Sequence, residues 1–195
     1  INEGIIMKTA IYGAGSLGTV LGAYLSKAGV DVDLITRNKE HVDAMNKGGA
    51  KIIGTVNMTV PVHALTPDQM TEKYELIILL TKQLDNENIL RNLEKNMTDD
   101  CIVCTLQNGL PELSVSKVVG EDRTMGCTVA WGATLHGKGV SELTSEPDSM
   151  SFGLGRMNGQ KDEKLMQVKA LLEKMCPVEI EDNFMGVRWS KLLIN

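Results

Sequence analysis

The sequence lacks several features that would place it in a broad class at once. Its 195 residues carry 25 acidic and 20 basic side chains, a net charge of −5, so the overall charge does not favour binding to nucleic acid. No stretch is long and apolar enough to span a membrane. Residues 1–6 lack the basic start and apolar core of a signal peptide, and we interpret them as a leader before a natural start at Met7. We therefore expect a cytoplasmic protein.

Cysteine is also scarce. The four cysteines are Cys101, Cys104, Cys127 and Cys176. Cys101 and Cys104 form a C-x-x-C pattern, but the surrounding apolar segment is typical of a buried strand. Positions i and i+3 of a strand point to opposite faces, which suits neither a metal site nor a redox-active dithiol. We predict buried, reduced thiols and no bound metal.

What the sequence does contain is an alternation of strand-like and helix-like segments. Strands are predicted at Thr9–Tyr12 and at residues 32–36, 76–80 and 101–106, and helices at Ser16–Lys27, residues 38–47 and from about 85, with another opened by Pro111. This alternation predicts an α/β fold with a doubly wound, mainly parallel sheet of the Rossmann type.

The remaining segments are less regular. We expect a small antiparallel excursion at residues 51–63, two or three strands within 123–155, a helix at 161–175 and a strand at Val178–Ile180. The predicted Rossmann-type domain spans residues 7–182. A further helix begins at residues 183–195 and is still running at the last residue, so we expect the sequence to be incomplete.

A glycine-rich segment between the first predicted strand and helix is the most informative motif. It consists of Gly13, Ala14, Gly15, Ser16, Leu17 and Gly18. In a G-x-G-x-x-G pattern the first glycine allows a tight turn, the second lets backbone N–H groups approach phosphate oxygens, and the third lets the helix pack closely on the sheet. The helix N-terminus adds unpaired N–H donors and a partial positive charge. The motif predicts a dinucleotide loop without specifying a reaction.

The end of the second predicted strand indicates which dinucleotide binds. NAD-binding proteins of this fold place an acidic residue there to hold the ribose 2′-hydroxyl, whereas this strand ends with Thr36 and Arg37. A guanidinium can hold a 2′-phosphate through paired hydrogen bonds, so NADP(H) is favoured. Arg37 as a solvated loop cation is the alternative, and Asp33, earlier in the strand, is the competing acidic residue, which we interpret as structural.

Three further polar residues follow predicted strands or lie on the last helix. Lys82 and Asn108 come after buried strands, where ligands bind in open α/β sheets; a solvated lysine and an ordinary Asn-Gly turn are the alternatives. Lys191 and Asn195 are four residues apart and share a helix face. Apolar neighbours could desolvate Lys191 and make it a better proton donor, or it could simply be a snorkelling lysine.

In this order the motifs resemble ketopantoate reductases (2-dehydropantoate 2-reductases). The resemblance covers essentially all of residues 7–195 and rests on residues 13–18, Arg37, Lys82, Gln107, Asn108, Gly109, Gly132, Ala133, residues 137–140 and residues 189–195. The W-x-K-L-x-x-N ending is the most distinctive part. Members of the family continue into a helical second domain, so the resemblance implies that residues 183–195 lead into a domain absent from this sequence.

The resemblance implies an NADPH-dependent reduction of 2-dehydropantoate to pantoate, on the route to pantothenate and coenzyme A. It makes Lys191 the proton donor and Asn195 a substrate-binding residue. Asn108 would contact both cofactor and substrate, and Lys82, Arg37 and Ala133 would contact NADPH together with the glycine loop. Without the second domain, we expect cofactor binding and little turnover.

Other functions are also compatible with these residues. The substrate could be another small 2-keto acid, and the fold could serve as a non-catalytic NADP sensor, which would not need Lys191. A methyltransferase using S-adenosylmethionine would normally need an acidic residue where Thr36 and Arg37 stand. The oligomeric state is undetermined, with a homodimer as one candidate.

Overall fold

The computed structural model describes residues 7–194, so the predicted leader at residues 1–6 lies outside the described part of the chain. Its helices are α1 (Ser16–Lys27), α2 (Lys39–Gly48), α3 (Asn86–Leu93), α4 (Pro111–Val119), α5 (Glu163–Leu172) and α6 (Phe184–Ile194). Its strands are β1 (Thr9–Tyr12), β2 (Val32–Ile35), β3 (Ala50–Gly54), β4 (Met58–Val60), β5 (His63–Leu65), β6 (Tyr74–Leu79), β7 (Met97–Thr105), β8 (Thr124–Ala130), β9 (Ala133–Gly137), β10 (Val140–Leu143), β11 (Ser151–Gly155) and β12 (Val178–Ile180). None of these helices is long and apolar enough to cross a membrane.

The main sheet confirms the predicted doubly wound fold. Eight strands lie in the order β12-β11-β8-β7-β6-β1-β2-β5, and the six from β5 to β8 pair in parallel. Read from β5, their order matches the 3-2-1-4-5-6 order of a Rossmann fold. β11 runs antiparallel to β8, and β12 is parallel to β11. The predicted domain boundary after residue 182 stays a prediction.

A second sheet is larger than the sequence indicated. The antiparallel excursion is present as β3 and β4, but β3 also pairs in parallel with β10, which gives a four-stranded sheet in the order β4-β3-β10-β9. The prediction of two or three strands within residues 123–155 was wrong, since that segment contains four. Residues 50–54 and 140–143 are far apart in sequence, so no local pattern signals their pairing.

The core lies on both faces of the main sheet. Cys104 belongs to a cluster with α1 and α5, whereas Cys101 belongs to a cluster with α3 and α4 on the opposite face. All four cysteines are free and buried, as predicted. Burial raises the pKa of the Cys101 thiol to about 12, so this thiol stays protonated and unreactive at neutral pH.

The helix predicted at residues 161–175 is shorter than expected. It is the ten-residue α5, which begins after Asp162, whose carboxylate caps it by accepting the Leu165 N–H at 3.3 Å. The same carboxylate also forms an ion pair of 2.7 Å with Arg156. Asp162 therefore fixes the start of α5.

Candidate functional site

The candidate site lies where the strand order of the main sheet reverses, between β1 and β6. Open α/β sheets bind ligands at this point, in the crevice outside the carboxyl ends of the strands. A cleft of about 380 Å³ occupies it and is lined by Tyr12, Gly13, Ile35, Thr36, Arg37, Pro67, Thr81, Lys82, Leu84, Asp85 and Ile89. The structure therefore brings Gly13, Arg37 and Lys82 to one cleft, which we call the switch-point cleft.

The glycine loop has the tight geometry that its sequence predicts. Gly13 has a φ of +106°, and a Cβ there would lie 2.6 Å from the backbone nitrogen of Thr81. A Cβ on Gly18 would lie 2.9 Å from the carbonyl oxygen of Gly13 and 3.1 Å from Ile11. By contrast, a Cβ on Gly15 would have nothing within 4 Å. Gly13 and Gly18 are thus required by the fold, whereas Gly15 borders open space.

The N-terminus of α1 has no side-chain cap. Gly15 occupies the N-cap position, and the first turn contains no acidic residue. The N–H groups of Ser16, Leu17 and Gly18, which start the helix, have no intrahelical partners. By contrast, the side chain of Asn38 caps α2. Free N–H groups and the positive end of the helix dipole favour an anion at such a helix N-terminus.

Two cations line the switch-point cleft together with Gly13. Arg37 follows β2 and Lys82 follows β6, and both side chains are exposed at the switch-point cleft. Within residues 7–194, neither forms an ion pair with an acidic side chain. Both positive charges are therefore available to a ligand in the cleft.

Asp33 is structural, as interpreted from its place in the strand. It is buried, accepts the Tyr74 hydroxyl at 2.6 Å and lies 2.6 Å from His63 Nδ1. Burial and the Asp33 carboxylate raise the pKa of Tyr74 well above its ordinary value. Because both of its oxygens are occupied away from the switch-point cleft, Asp33 is not the acidic residue that would select NAD.

A buried amide network joins the carboxyl ends of β6 and β7, and no local sequence pattern predicts it. Asn86 and Gln107 exchange hydrogen bonds of 2.9 Å through their amide groups. Gln107 also donates to the Thr81 carbonyl at 2.6 Å, and its Oε1 accepts from the Thr105 hydroxyl at 3.0 Å. The network fixes the backbone just before Asn108, whose side chain is exposed at this edge of the sheet.

The second sheet packs against the glycine loop and its helix. The Ser141 hydroxyl donates to the Ser16 carbonyl at 2.9 Å. Ala133, at the start of β9, is partly buried and lies outside the lining of the switch-point cleft. Its predicted contact with the cofactor stays a prediction.

His41 links the second sheet to the glycine loop through a buried hydrogen-bond chain. Its Nδ1 accepts the Gly139 N–H at 2.8 Å, and its Nε2 lies 2.9 Å from the Thr19 hydroxyl. That hydroxyl donates to the Ala14 carbonyl at 3.5 Å. Because Nδ1 is an acceptor, the imidazole is neutral with its proton on Nε2. Burial lowers the pKa of His41, which favours the neutral form.

α6 carries the predicted proton donor and is anchored by a buried ion pair. Arg188 Nε donates to Glu112 Oε1 at 2.9 Å, and Arg188 Nη2 donates to the Cys127 carbonyl at 3.3 Å. Lys191 lies one turn further along and is exposed, outside the lining of the switch-point cleft. The side chains of Leu193 and Ile194 are 85% exposed. The expected apolar surroundings of Lys191 are therefore not formed by the described residues, and Asn195 lies outside them.

The strand order, the uncapped glycine loop and the unpaired cations define a Rossmann-type dinucleotide-binding domain. A family profile described as "Ketopantoate reductase PanE/ApbA" matches residues 9–156, and the chain belongs to this family. It is 32% identical over 191 residues to a 2-dehydropantoate 2-reductase of Pyrococcus horikoshii, and 29% identical over 192 residues to one of Streptococcus pyogenes serotype M3. Each match covers 97% of this chain and 61% of the relative.

Solved structures share the fold of this chain. The chain is similar to D-mandelate dehydrogenase in a ternary structure with NADH and anilino(oxo)acetate, with a TM-score of 0.86 and 26% identity over 97% of this chain and 61% of that one. A 2-dehydropantoate 2-reductase from Geobacter metallireducens has the same fold, with a TM-score of 0.85 and 22% identity over 96% of this chain and 62% of that one. The chain thus spans a little over three fifths of the relatives that it matches.

Proposed function

We propose that this chain is the cofactor-binding part of an NADPH-dependent 2-dehydropantoate 2-reductase. The observation that carries the proposal is the glycine loop at the switch point, where an uncapped helix N-terminus faces open space beside Gly15. Membership of the ketopantoate reductase family and relatives named 2-dehydropantoate 2-reductase support the reaction. We also propose a cytoplasmic location, which the free, buried thiols support. A homodimer stays a prediction.

The glycine loop and the residues of the switch-point cleft together fit a phosphorylated dinucleotide. The loop of residues 13–18 would hold the pyrophosphate through backbone N–H groups. Arg37, at the end of β2, would pair with the ribose 2′-phosphate, and Lys82 would add a second positive charge. Asp33 is unable to hold a 2′-hydroxyl, since its carboxylate is already bound by Tyr74 and His63. These features support NADPH over NADH.

The chemistry divides between the cofactor and the protein. When bound, NADPH would supply the hydride for the keto carbon. Lys191 would direct its ammonium at the keto oxygen, stabilise the negative charge that develops there and donate a proton to it. Asn108, on the loop after β7, would orient cofactor and substrate through its amide, and Asn195 would bind the substrate.

A second candidate is the reduction of another small 2-keto acid. The similarity to D-mandelate dehydrogenase favours it, because that protein is described with NADH and anilino(oxo)acetate rather than with 2-dehydropantoate. The two candidate functions share the cofactor and differ in the acyl group of the substrate.

The proposal is tested by steady-state kinetics of the full-length protein with NADPH. Two substrates are compared: 2-dehydropantoate and phenylglyoxylate, the 2-keto acid that corresponds to mandelate. We expect higher kcat/KM for 2-dehydropantoate, and a loss of about 10²–10⁴-fold in kcat for Lys191→Ala with NADPH affinity retained. Lys174→Ala, an exposed lysine after α5, is the matched control. Unchanged turnover in Lys191→Ala would contradict the role of Lys191 as proton donor. Wild-type protein that binds NADPH without reducing either substrate would favour a sensor, and faster phenylglyoxylate reduction would favour the second candidate.

A further inference from the structure

A second cleft lies directly outside the switch-point cleft, at the carboxyl ends of β2 and β5. It has a volume of about 470 Å³ and is lined by Arg37, Lys39, Thr66, Pro67, Asp68 and Gln69. We call it the outer cleft. Arg37 and Pro67 line both clefts, so they form the wall between them. A ligand group held by Arg37 therefore also faces the outer cleft.

The outer cleft is bounded by a hydrogen-bonded turn. The Thr36 N–H donates to the Leu65 carbonyl at 3.1 Å, which joins the ends of β2 and β5. The turn Pro67–Gln69 follows immediately, and the Thr66 N–H closes it by donating to the Gln69 side chain at 2.9 Å. The carboxylate in the middle of this turn is thus held beside the end of β2.

Two cations and one carboxylate meet in the outer cleft. Arg37 and Lys39 supply the positive charges, and Asp68 supplies the negative charge. The Thr66 hydroxyl lowers the pKa of Asp68, and the charge of Lys39 lowers it further, so this carboxylate is ionised at neutral pH. Lys39 Nζ also lies 3.3 Å from Asp43 one turn along α2, where the ion pair is exposed to solvent.

We propose that Lys39 and Asp68 act in opposition as specificity-determining residues for the ribose 2′-position of the dinucleotide. This inference rests on the proposed function. Lys39 adds attraction for a 2′-phosphate beyond that of Arg37, while the Asp68 carboxylate repels the phosphate and can accept a hydrogen bond from an unphosphorylated 2′-hydroxyl. The acidic residue relevant to NADH is therefore Asp68, after β5, and not Asp33 within β2.

Titrations of the full-length protein with NADPH and with NADH, at one fixed ionic strength, test the inference. Because these charges are solvent-exposed, each single change is expected to shift affinity by about two- to fivefold. Asp68→Asn should strengthen NADPH binding and not NADH binding. Lys39→Met should weaken NADPH binding and leave NADH binding unchanged. Both shifts in affinity should shrink as salt is added.

Matched controls separate a local effect from a change in net charge. Lys47→Met removes a cation from the opposite end of α2, and Asp99→Asn removes an exposed carboxylate from β7; both should leave the ratio of affinities unchanged. Unchanged ratios in Lys39→Met and Asp68→Asn, with wild-type protein that binds NADPH, would overturn this inference alone. A wild-type protein that binds neither dinucleotide would overturn the proposed function and this inference with it.

Discussion

Arg188 and Glu112 form a buried ion pair, 2.9 Å between Nε and Oε1, that ties α6 to the first turn of α4. The side chains are 2% and 0% exposed. Burial raises the pKa of Glu112 although the charge of Arg188 lowers it, so the carboxylate depends on the guanidinium to stay ionised. The Arg188 guanidinium also lies 5.1 Å from the ring centroid of Phe184 at the start of α6. This pair fixes the helix on which Lys191 lies.

Removing one partner of this ion pair should lower the free energy of unfolding more than removing both partners. Arg188→Met leaves a buried carboxylate without compensation, and we expect it to lower the free energy of unfolding by about 3–5 kcal/mol. The double variant Glu112→Leu with Arg188→Met should regain most of that loss. Urea denaturation of the wild type, of both single variants and of the double variant measures these losses, and additive losses in the double variant would show that the two side chains do not depend on each other.

Gly13 and Gly15 should respond differently to alanine. Gly13→Ala places a Cβ against the Thr81 backbone at a positive φ, so we expect a loss of about 3 kcal/mol or more of stability. Gly15→Ala meets open space and should change stability by no more than about 1 kcal/mol. Its methyl group would occupy the phosphate position, so NADPH affinity should fall by about tenfold or more. Thermal unfolding and NADPH titration measure the two effects, and unchanged binding by Gly15→Ala would place the pyrophosphate elsewhere.

The buried His41 should make stability depend on pH. Its folded-state pKa is lowered, so its contribution is fully present above the unfolded pKa of about 6.5 and is lost as the pH falls below that value towards the folded pKa. His41→Asn should flatten this part of the stability profile. His136→Asn, which alters an exposed histidine 3.4 Å from Glu142, serves as the control. Denaturation between pH 5 and 8 measures the slope, and equal slopes in wild type and His41→Asn would refute the assignment.

Asp33 should influence stability and not cofactor choice. Tyr74→Phe removes the buried hydroxyl that donates to Asp33 and should lower the free energy of unfolding by about 1–3 kcal/mol. Asp33→Asn should also destabilise the fold while leaving the ratio of NADPH to NADH affinity as in the wild type. Titrations with both dinucleotides decide this, and a marked gain of NADPH preference in Asp33→Asn would mean that this carboxylate faces the ribose after all.

The sequence alone predicted the parts of the fold that follow local patterns. β1, α1 and β12 have the predicted bounds. The apolar pattern that predicts each of them lies entirely within its own stretch of sequence. The pairing of β3 with β10 and the contact of Ser141 with Ser16 were not predicted. Both join segments far apart in sequence, and no single segment carries a sign of its partner.

The candidate site was predicted to a similar extent. Glycine spacing and the absence of an acid at Thr36 pointed to the glycine loop and to Arg37, and the structure places Gly13, Arg37 and Lys82 at one cleft. The network of Asn86 and Gln107 and the outer cleft around Asp68 were missed. The contact between Asn86 and Gln107 and the contact between the ends of β2 and β5 both depend on the tertiary fold, so no local sequence pattern predicts them.

The role of Arg37 is tested by the affinities of the wild type and of Arg37→Ala for NADPH and NADH, measured by fluorescence titration. A charge-assisted contact to the 2′-phosphate is worth about 1.5–3 kcal/mol, which corresponds to roughly 10- to 100-fold in affinity. We predict that the wild type prefers NADPH by about this factor and that Arg37→Ala loses the preference by weakening NADPH binding alone. Equal affinities of the wild type for the two dinucleotides would contradict the claim that Arg37 binds the 2′-phosphate of NADPH.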